Sequence, residues 1–446
     1  MTLGYIRGSY APVGGGRGQI VTKKSVTDND ADWVDIGVID RLRRSMARAY
    51  AFNPETAAVM ASPPTLTAAS SDTSGLTKFY TANQFASVMA ICGGDFYYSS
   101  SNNRGALGNQ YVAGDAGNIN FVAAPQVPTV PAGTNAVGPW YLKFMTDAPI
   151  FQIRCAATAA SNPLRFIIDG QYVDRTGNDM QTNNYLKFDF SAQSPSRKAR
   201  LIEIEGQYAV NWFSVQVDSL SRIWKPQPID ATRVAMTGDS HWAGQAGLTG
   251  AAWSSCSAIM GRLLGIWDLH VPALDGTGYL KLGTSGLRKK IKEQMDDWVY
   301  NGSYDLIMFA AGYNDTAFSA SAVAAEAYAC WQKARAAQPQ ALIVVFGVWA
   351  GCTGPSATIT TLESTIKSQF SIWNDPFAAF VPTSTDFEPW EFGTGFQGAT
   401  NGSGNTDNYA FTDGVHDNPT GHAYRGLRMA NAVRNIVLGS TGGILI

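Results

Sequence analysis

The sequence predicts a doubly wound α/β domain preceded by an antiparallel, jelly-roll-like β-sandwich. From about residue 78 to residue 228, short segments alternate apolar with polar residues and are separated by Asn, Asp, Gly and Pro, as in strands with one buried face. From residue 229 to residue 446, near-continuous apolar runs alternate with amphipathic segments, which indicates a parallel sheet covered by helices. At 446 residues, 45% of them hydrophobic, the chain is long enough for two or three cores.

Residues 1–77 differ in character from the rest of the chain. A Gly-rich start is followed by a segment at 32–52 that predicts a short helix, and then by a stretch at 57–75 rich in Ala, Ser, Thr and Pro. Such a stretch buries little apolar surface and is typical of a linker. We interpret residues 1–77 as an N-terminal segment and linker that form an attachment region.

Six segments of the middle region favour strands because β-branched and aromatic residues alternate with polar ones. They lie at 140–146, 150–155, 164–173, 184–190, 200–206 and 213–219. Asp169-Gly170, between two apolar runs, predicts a type I′ hairpin turn. Successive strands without intervening helices indicate the sandwich at residues 78–228.

The C-terminal region alternates strands with helices. Strands are expected at 233–236, 304–311, 341–350 and 377–382, with a weaker one at 265–271. Helices are expected around 287–298, where apolar residues form one helical stripe, at 321–338, which stops before Pro339, and at 421–439.

Composition excludes several classes of protein. The formal net charge of −2 and the lack of a long basic block argue against a nucleic-acid partner. No uninterrupted apolar run approaches the length of a membrane span, and the N-terminus lacks the apolar core of a standard signal peptide. The five cysteines are scattered and contain no CxxC pair, so we expect neither a zinc site nor a disulfide framework.

Three polar motifs follow predicted strands or precede the last helix. They are Gly238-Asp239-Ser240, Gly312-Tyr313-Asn314-Asp315 and Asp413-Gly-Val-His416. Ligands of doubly wound sheets bind beyond the carboxyl ends of the strands, so these motifs are expected to meet. Each also has a plainer interpretation, as a turn or a helix cap.

A serine hydroxyl needs a base within hydrogen-bonding reach to act as a nucleophile, and the chain offers four histidines. His241 neighbours Ser240, and its side chain is expected to point elsewhere. His270 lies within a predicted strand, and His422 opens the last helix, so both favour structural roles. His416 follows Asp413 by three residues, and that carboxylate can fix the imidazole tautomer. We therefore select His416.

The motifs "TGDS", "GYND" and "DGVH" resemble blocks I, III and V of the SGNH (GDSL-like) hydrolase family. The resemblance covers roughly residues 230–440 and implies a flavodoxin-like three-layer α/β fold. It also implies that Ser240 is the nucleophile of a serine esterase, that His416 is the general base and that Asp413 orients it. No cofactor and no metal are implied.

The resemblance further implies an oxyanion hole made by the Ser240 N–H, a block II glycine N–H and the Asn314 side chain. The segment "LDGTGYL" at 274–280 stands in the place of block II but lacks the asparagine that usually precedes the glycine. Gly276 is our choice for the donor, and Gly278 is the alternative.

Three features favour an acetylated polysaccharide as substrate. The loop at 385–416 is long, polar and aromatic, and its Trp390, Phe392, Phe396 and Tyr409 suit stacking on sugar rings. The preceding sandwich is similar to modules of polysaccharide esterases and is expected to bind carbohydrate. The segment "GTGYL" resembles a variant found in bacterial and phage deacetylases. We expect removal of O-acetyl groups from a capsule, O-antigen or similar polymer.

Two alternatives stay open. One is a lipase or thioesterase acting on small acyl esters, and the other is a non-catalytic carbohydrate-binding or virion structural protein. The N-terminal features would suit a phage tail or tailspike protein, so we expect an extracellular or virion-associated location, virion tail proteins as partners and a homo-oligomer. A cytoplasmic location is left open.

Overall fold

A computed structural model describes fifteen stretches of the chain. They are residues 19–23, 31–35, 37–51, 58–99, 104–108, 140–157, 163–180, 184–194, 196–206, 210–226, 232–243, 252–283, 289–300, 302–351 and 354–439. All structural statements below concern these residues.

The described residues form twenty-one strands and nine α-helices, in the following order. The strands are β1 (Gln19–Lys23), β2 (Ala31–Asp35), β3 (Thr65–Ala69), β4 (Lys78–Thr81), β5 (Ala90–Cys92), β6 (Asp95–Ser99), β7 (Arg104–Gly108), β8 (Trp140–Thr146), β9 (Ile150–Ala157), β10 (Pro163–Ile168), β11 (Gln171–Tyr172), β12 (Asn178–Asp179), β13 (Tyr185–Asp189), β14 (Arg200–Gly206), β15 (Val210–Val217), β16 (Ile223–Trp224), β17 (Arg233–Gly238), β18 (Asp268–His270), β19 (Leu306–Ala310), β20 (Leu342–Phe346) and β21 (Ala378–Val381). The helices are α1 (Val38–Ala51), α2 (Phe85–Val88), α3 (Ser240–Ala243), α4 (Cys256–Leu263), α5 (Ile291–Trp298), α6 (Ala320–Ala337), α7 (Ala357–Trp373), α8 (Thr406–Tyr409) and α9 (Pro419–Gly439).

The last five strands form a parallel sheet in the order β18-β17-β19-β20-β21. This is the 2-1-3-4-5 order of flavodoxin-like doubly wound folds. Strands β19 and β20 are buried at every position, because helices cover both faces. Helices α1, α4 and α9 share one core with the sheet, and α5, α6 and α7 share the other. The predicted α/β domain with a parallel sheet is confirmed.

Helix α1 belongs to the α/β core. Its apolar stripe Val38, Leu42 and Met46 is buried in the same cluster as Val433 and Val437 of α9. Ser45 is hydrogen-bonded to Thr232 at 2.6 Å, just before β17. The helix expected at 32–52 therefore exists, and its apolar stripe completes the α/β core. The interpretation of residues 1–77 as an attachment region stays a prediction.

The middle of the chain forms two seven-stranded antiparallel sheets. One has the order β11-β10-β14-β8-β16 with β5 and β12 at its sides, and the other has the order β3-β13-β9-β15-β7-β6 with β4 beside β15. Their apolar faces share a single core, in which Phe151 stacks on Phe188 at 4.5 Å and Phe166 meets Phe188 edge-on at 4.8 Å. The predicted antiparallel strands are confirmed.

Two local predictions in this region have different outcomes. The turn at Asp169-Gly170 has positive φ at both residues (47° and 84°) and joins β10 to β11, as a type I′ turn requires. The stretch at 57–75 was expected to be a linker, but Thr65–Ala69 pairs with β13 as strand β3. Backbone pairing with β13 holds this edge strand, and its Leu66 packs against the core of the two sheets.

Helix α7 was not foreseen from the sequence. Its Thr and Ile residues are poor helix formers in isolation, yet its ends carry clear signals. The Ser356 side chain accepts the Ile359 N–H at the first turn, and Asn374 closes the helix in the left-handed conformation. Both are preferred capping residues at these positions.

A buried carboxylate joins the antiparallel sheets to the α/β domain. Glu205 of β14 is fully buried and accepts hydrogen bonds from Tyr141 Oη (2.8 Å), Arg165 Nε (2.7 Å) and Arg262 Nη1 (3.1 Å). Arg262 lies on α4, so the contact crosses between the two units. Burial alone would raise the pKa of Glu205, but the two guanidinium groups outweigh it and lower that pKa.

We expect Glu205→Ala to destabilise the protein by roughly 3–5 kcal/mol, because it leaves two buried guanidinium groups without their counter-charge. Urea unfolding followed by tryptophan fluorescence measures this. Asp296→Ala is the matched control, since the Asp296 carboxylate is exposed and pairs at 2.5 Å with Lys333, so its loss leaves no buried charge without a partner. Equal losses for the two variants would contradict a special role for Glu205.

Candidate active site

Ser240 lies at the carboxyl edge of the parallel sheet. Strand β17 ends at Gly238, where a Cβ atom would come within 2.1 Å of the Ala310 carbonyl oxygen of β19. Only glycine therefore fits at this exit from the sheet. Ser240 opens the short helix α3 and is 7% exposed, so the strand–turn–helix geometry presents its hydroxyl at the strand ends.

Ser240, His416 and Asp413 form a continuous hydrogen-bonded chain. His416 Nε2 is 2.8 Å from Ser240 Oγ, and His416 Nδ1 is 2.6 Å from Asp413 Oδ2. An ionised carboxylate only accepts, so Nδ1 carries the proton and Nε2 is left to accept from the serine hydroxyl. The structure thus brings His416 into contact with Ser240, which lies 176 positions earlier in the chain.

The Asp413 carboxylate is held by its own turn. Its Oδ1 accepts the backbone N–H groups of Val415 (2.9 Å) and His416 (3.0 Å), which leaves Oδ2 facing the imidazole. Partial burial would raise the pKa of Asp413, but the hydrogen bonds from the His416 ring and from these two N–H groups lower it overall. The carboxylate therefore remains ionised across the neutral range.

The oxyanion candidates lie on two neighbouring loops. Asn314 Nδ2 donates to the Thr277 carbonyl oxygen at 3.0 Å. Its second amide hydrogen has no acceptor among the residues that the structure describes, so it could donate to a ligand. The Gly278 N–H already donates to the Lys281 carbonyl oxygen at 3.0 Å. Gly276 has a φ of +68°, and within the described residues its N–H has no acceptor. This difference favours Gly276 over Gly278.

Asp315 fixes the block II loop against the turn that carries Asn314. Its buried carboxylate accepts the N–H groups of Tyr279 (2.8 Å), Leu280 (2.9 Å) and Lys281 (2.8 Å). A Cβ atom at Gly278 would come within 2.3 Å of that carboxylate. Gly278 is therefore required for packing, a role that the motif alone did not reveal.

Asp239, between Gly238 and the serine, is buried. Its Oδ1 accepts the His241 N–H at 3.1 Å. Burial raises the pKa of Asp239 to about 7, although that hydrogen bond and the Arg425 charge oppose the shift. The neutral form is thus favoured by folding, and the stability that Asp239 contributes is present below its unfolded pKa and is lost as the pH rises through 7.

Asp239→Asn should therefore flatten the pH dependence of stability. The asparagine oxygen keeps the bond from His241, and we expect the variant to gain on the order of 2–4 kcal/mol over the parent between pH 4.5 and pH 8. Unfolding free energies of both proteins at these two pH values test it. A difference between the proteins that stays constant with pH would refute the assignment.

The other three histidines lie in structural surroundings. His422 Nδ1 accepts the Cys256 N–H at 3.3 Å, and His270 Nε2 is 3.0 Å from Asp268 Oδ1 at the sheet edge. His241 is 2% exposed, and its ring lies 5.3 Å from those of Tyr313 and His416. Burial lowers the pKa of both His241 and His422 well below the usual value, so both are neutral beside His416.

The aromatic candidates of the 385–416 loop require correction. Trp390 is only 4% exposed, packs on Trp349 at 5.3 Å and lies under Arg428 at 4.8 Å. It belongs to the core and has no ring face for a sugar. Tyr409 is half-buried and stacks on Tyr424 at 4.2 Å, so one of its faces is covered.

Exposed aromatic rings are nevertheless present in this loop. Phe387 is 97% exposed and Phe392 is 45% exposed, while Phe396 is half-buried. Phe387 was not singled out from the sequence, where nothing distinguished it from its buried neighbour Trp390. Side-chain exposure depends on how the loop folds back on β20 and α9, which the composition of the loop does not encode.

No group of three or more His, Cys, Asp or Glu side chains in the described part of the chain is arranged to hold a metal ion. None of the described helices is long and apolar enough to cross a membrane.

The fold and the site define a class: doubly wound α/β proteins with a Ser-His-Asp chain at the carboxyl edge of the sheet. No family model and no curated relative matches the sequence. Solved structures do resemble it. A family two carbohydrate esterase from Cellvibrio japonicus matches with a TM-score of 0.55 at 13% identity, over 81% of this chain and 98% of that one.

Two further structures widen the comparison. An acetyl xylan esterase from the rumen bacterium Butyrivibrio proteoclasticus matches with a TM-score of 0.51 at 12% identity, over 82% of this chain and 99% of that one. A salicylyl-acyltransferase from a tetracycline biosynthetic pathway matches with a TM-score of 0.54 at 13% identity, over 82% of this chain and 98% of that one. The chain therefore has the SGNH fold, which is the fold of the family whose sequence blocks its motifs resemble.

Proposed function

We propose that this protein is a serine esterase that removes O-acetyl groups from a polysaccharide. The observation that carries the proposal is the chain Ser240 Oγ–His416 Nε2 (2.8 Å) and His416 Nδ1–Asp413 Oδ2 (2.6 Å) at the carboxyl edge of the sheet. The fold supports it, since the solved structures that share it include carbohydrate esterases. Fold alone does not fix chemistry, so the argument rests on the site.

In the first half of the proposed reaction, Ser240 Oγ attacks the ester carbonyl carbon while its proton moves to His416 Nε2. The negative charge that develops on the carbonyl oxygen is stabilised by the N–H groups of Ser240 and Gly276 and by Asn314 Nδ2. The bond between the acyl carbon and the sugar oxygen then breaks, and that oxygen takes the proton from Nε2. The sugar hydroxyl leaves, and Ser240 carries the acetyl group.

The second half hydrolyses the acetyl-serine. A water molecule gives a proton to His416 Nε2 as its oxygen attacks the acyl carbon, and the same three donors hold the oxyanion. The intermediate collapses to acetic acid, and the proton on Nε2 returns to Ser240 Oγ. Asp413 keeps Nδ1 protonated throughout and stabilises the imidazolium that forms twice.

For the substrate, we propose that the two antiparallel sheets form a jelly-roll-like β-sandwich that binds the polysaccharide. The charged contact of Glu205 with Arg262 supports this, because it ties the sheets to the catalytic domain and would hold a bound polymer at a fixed place relative to it. In the 385–416 loop, the exposed rings of Phe387 and Phe392 replace Trp390 as candidates for stacking on sugars.

Acetate release from a panel of acetylated polysaccharides tests the function. We expect acetate from at least one capsule or O-antigen polymer, and rates on p-nitrophenyl esters that fall as the acyl chain lengthens from acetate to octanoate. A preference for long chains would favour the lipase alternative instead. Absence of turnover together with polymer binding would favour a carbohydrate-binding protein without catalysis.

We also propose a virion-associated location, with tail proteins as partners and a homo-oligomeric state. The Gly-rich start supports it, although α1 and β3 belong to the folded units and leave a shorter attachment region than residues 1–77. Mass spectrometry of purified virions and light scattering of the isolated protein test the two claims. A monomer absent from virions would refute both.

A further inference from the structure

A buried guanidinium contacts the residue that follows His416. Arg425 lies on α9 and is 1% exposed. Its Nη2 donates to both carboxylate oxygens of Glu391 at 2.8 and 3.0 Å, and its Nε is 2.9 Å from Asp417 Oδ2. The guanidinium carbon lies 3.8 Å from the centroid of the Trp349 ring. One side chain thus connects α9 with the segments after β20 and β21 and with the His416 loop.

Stability alone is a poor explanation for this cluster. Glu391, Asp417 and Arg425 are all buried, and burial raises the pKa of Asp417 well above its usual value, which favours its neutral form. Removing the charges of Arg425 and Glu391 from water costs about as much as their pairing returns. Well-packed apolar residues at such positions are commonly as stable or more so. The contacts of the Arg425 guanidinium with Glu391 and Asp417 do, however, keep α9, the segment after β21 and the His416 loop at fixed distances from one another.

Asp417 transmits that geometry to the imidazole. The loop that carries His416 closes through an antiparallel bridge between Ala410 and Asp417, and the Phe411 N–H donates to the His416 carbonyl oxygen at 2.7 Å. His416 is therefore anchored by backbone pairing on one side. On the other side its neighbour Asp417 is anchored by Arg425.

We propose that Arg425 is a positioning residue for the general base, which it holds through Asp417 so that His416 Nε2 stays within hydrogen-bonding distance of Ser240 Oγ. The proposal rests on the proposed function of His416. Arg425 itself contacts neither the nucleophile nor the imidazole. A displacement of about 1 Å at a catalytic group can cost as much as 10²-fold in rate, so a small shift of this loop is sufficient to matter.

The kinetic test uses Arg425→Met, which keeps an extended side chain and removes the guanidinium group. We expect kcat for p-nitrophenyl acetate to fall by about 10–10²-fold with KM changed less than about threefold, because Arg425 acts on the geometry of the base and not on substrate binding. Arg425→Lys keeps the charge but has one nitrogen, which cannot contact Glu391 and Asp417 from the two positions that Nη2 and Nε occupy, so it should recover only part of kcat.

Arg428→Met is the matched control. Arg428 lies one turn further along α9. Its guanidinium carbon is 4.8 Å from the centroid of the Trp390 ring, and its Nη2 is 3.5 Å from Asp386 Oδ2. Among the described residues it makes no hydrogen bond or ion pair with the loop that carries His416. Its loss should leave kcat unchanged. If Arg425→Met does not fold, Asp417→Ala, which removes the carboxyl group that Arg425 contacts, decides the question with an expected loss of about tenfold in kcat.

A spectroscopic measurement separates this proposal from the proposed function. The short bond between His416 Nδ1 and Asp413 should give a far-downfield proton resonance, and its assignment among only four histidines follows from its loss in His416→Gln. We expect this signal to shift or broaden in Arg425→Met and to persist in Arg428→Met. A folded Arg425→Met protein with parental kcat and an unchanged signal overturns the proposal. If Ser240→Ala retains activity while the signal still responds to Arg425→Met, the proposed function fails and the positioning of the ring stands.

Discussion

Ser240→Ala is expected to lower hydrolysis of p-nitrophenyl acetate by roughly 10⁴-fold or more, because it removes the atom that forms the acyl-enzyme. The Ser240 hydroxyl has one protein partner in the described residues, His416 Nε2, so the loss of this group should leave the fold intact. The measurement is the initial rate at saturating substrate, with near-ultraviolet circular dichroism to confirm native packing.

A second serine provides the control for this prediction. Ser257 is buried in the next helix and bonds to Trp242 O at 3.2 Å and to Ser255 Oγ at 3.0 Å, so Ser257→Ala removes a comparable buried hydroxyl that has no catalytic role. It should keep near-parental activity. A fluorophosphonate probe should label the parent and Ser257→Ala but not Ser240→Ala. Retained turnover or labelling in Ser240→Ala would remove the basis of the proposed mechanism.

The proximity of the triad residues could be predicted because a parallel sheet collects the ends of its strands at one edge. Ser240 and Asn314 each follow a buried apolar strand, and such strands are recognisable from composition alone. His416 was selected by its spacing from Asp413, and the turn that puts both residues in contact is local in sequence. Their catalytic roles stay predictions until activity is measured.

The choice between Gly276 and Gly278 could not be made from the sequence. Both are small, and both lie in the same loop. What separates them is tertiary: the Asp315 carboxylate packs against Gly278, and Lys281 accepts its N–H. The burial of Trp390 was hidden for a related reason, since the ring is covered by Trp349 and Arg428, 41 and 38 positions away in sequence.

The elements that the sequence missed share a physical cause. Strand β3 contains Ala, which is depleted in strands, and helix α7 is rich in Thr and Ile, which are weak helix formers. They form because neighbours provide what the local sequence lacks: β13 supplies backbone partners to β3, and the core beneath the sheet accepts Ile359, Leu362 and Ile366 of α7. Long-range packing therefore determines the secondary structure of such segments, whereas the strongly apolar strands can be predicted from their local sequence.

Asp413→Asn is expected to lower kcat by roughly 10³–10⁴-fold while leaving the turn in place. The asparagine oxygen can still accept the Val415 and His416 N–H groups, so its amide nitrogen faces His416 Nδ1. An NH₂ group there donates, and Nδ1 must then be unprotonated. The proton moves to Nε2, which donates to Ser240 Oγ and is unable to take the serine proton.

The matched control is Asp407→Asn in the same loop, whose carboxylate also accepts two backbone N–H groups, from Asn401 at 3.1 Å and Gly402 at 2.6 Å, but does not face an imidazole. It should retain near-parental kcat, which would show that removal of a turn-forming carboxylate is not enough to abolish activity. Equal losses in the two variants would mean that Asp413 acts only by shaping its turn. A loss confined to Asp413→Asn, with substrate KM unchanged, would indicate instead that the tautomer of His416 is what this carboxylate controls.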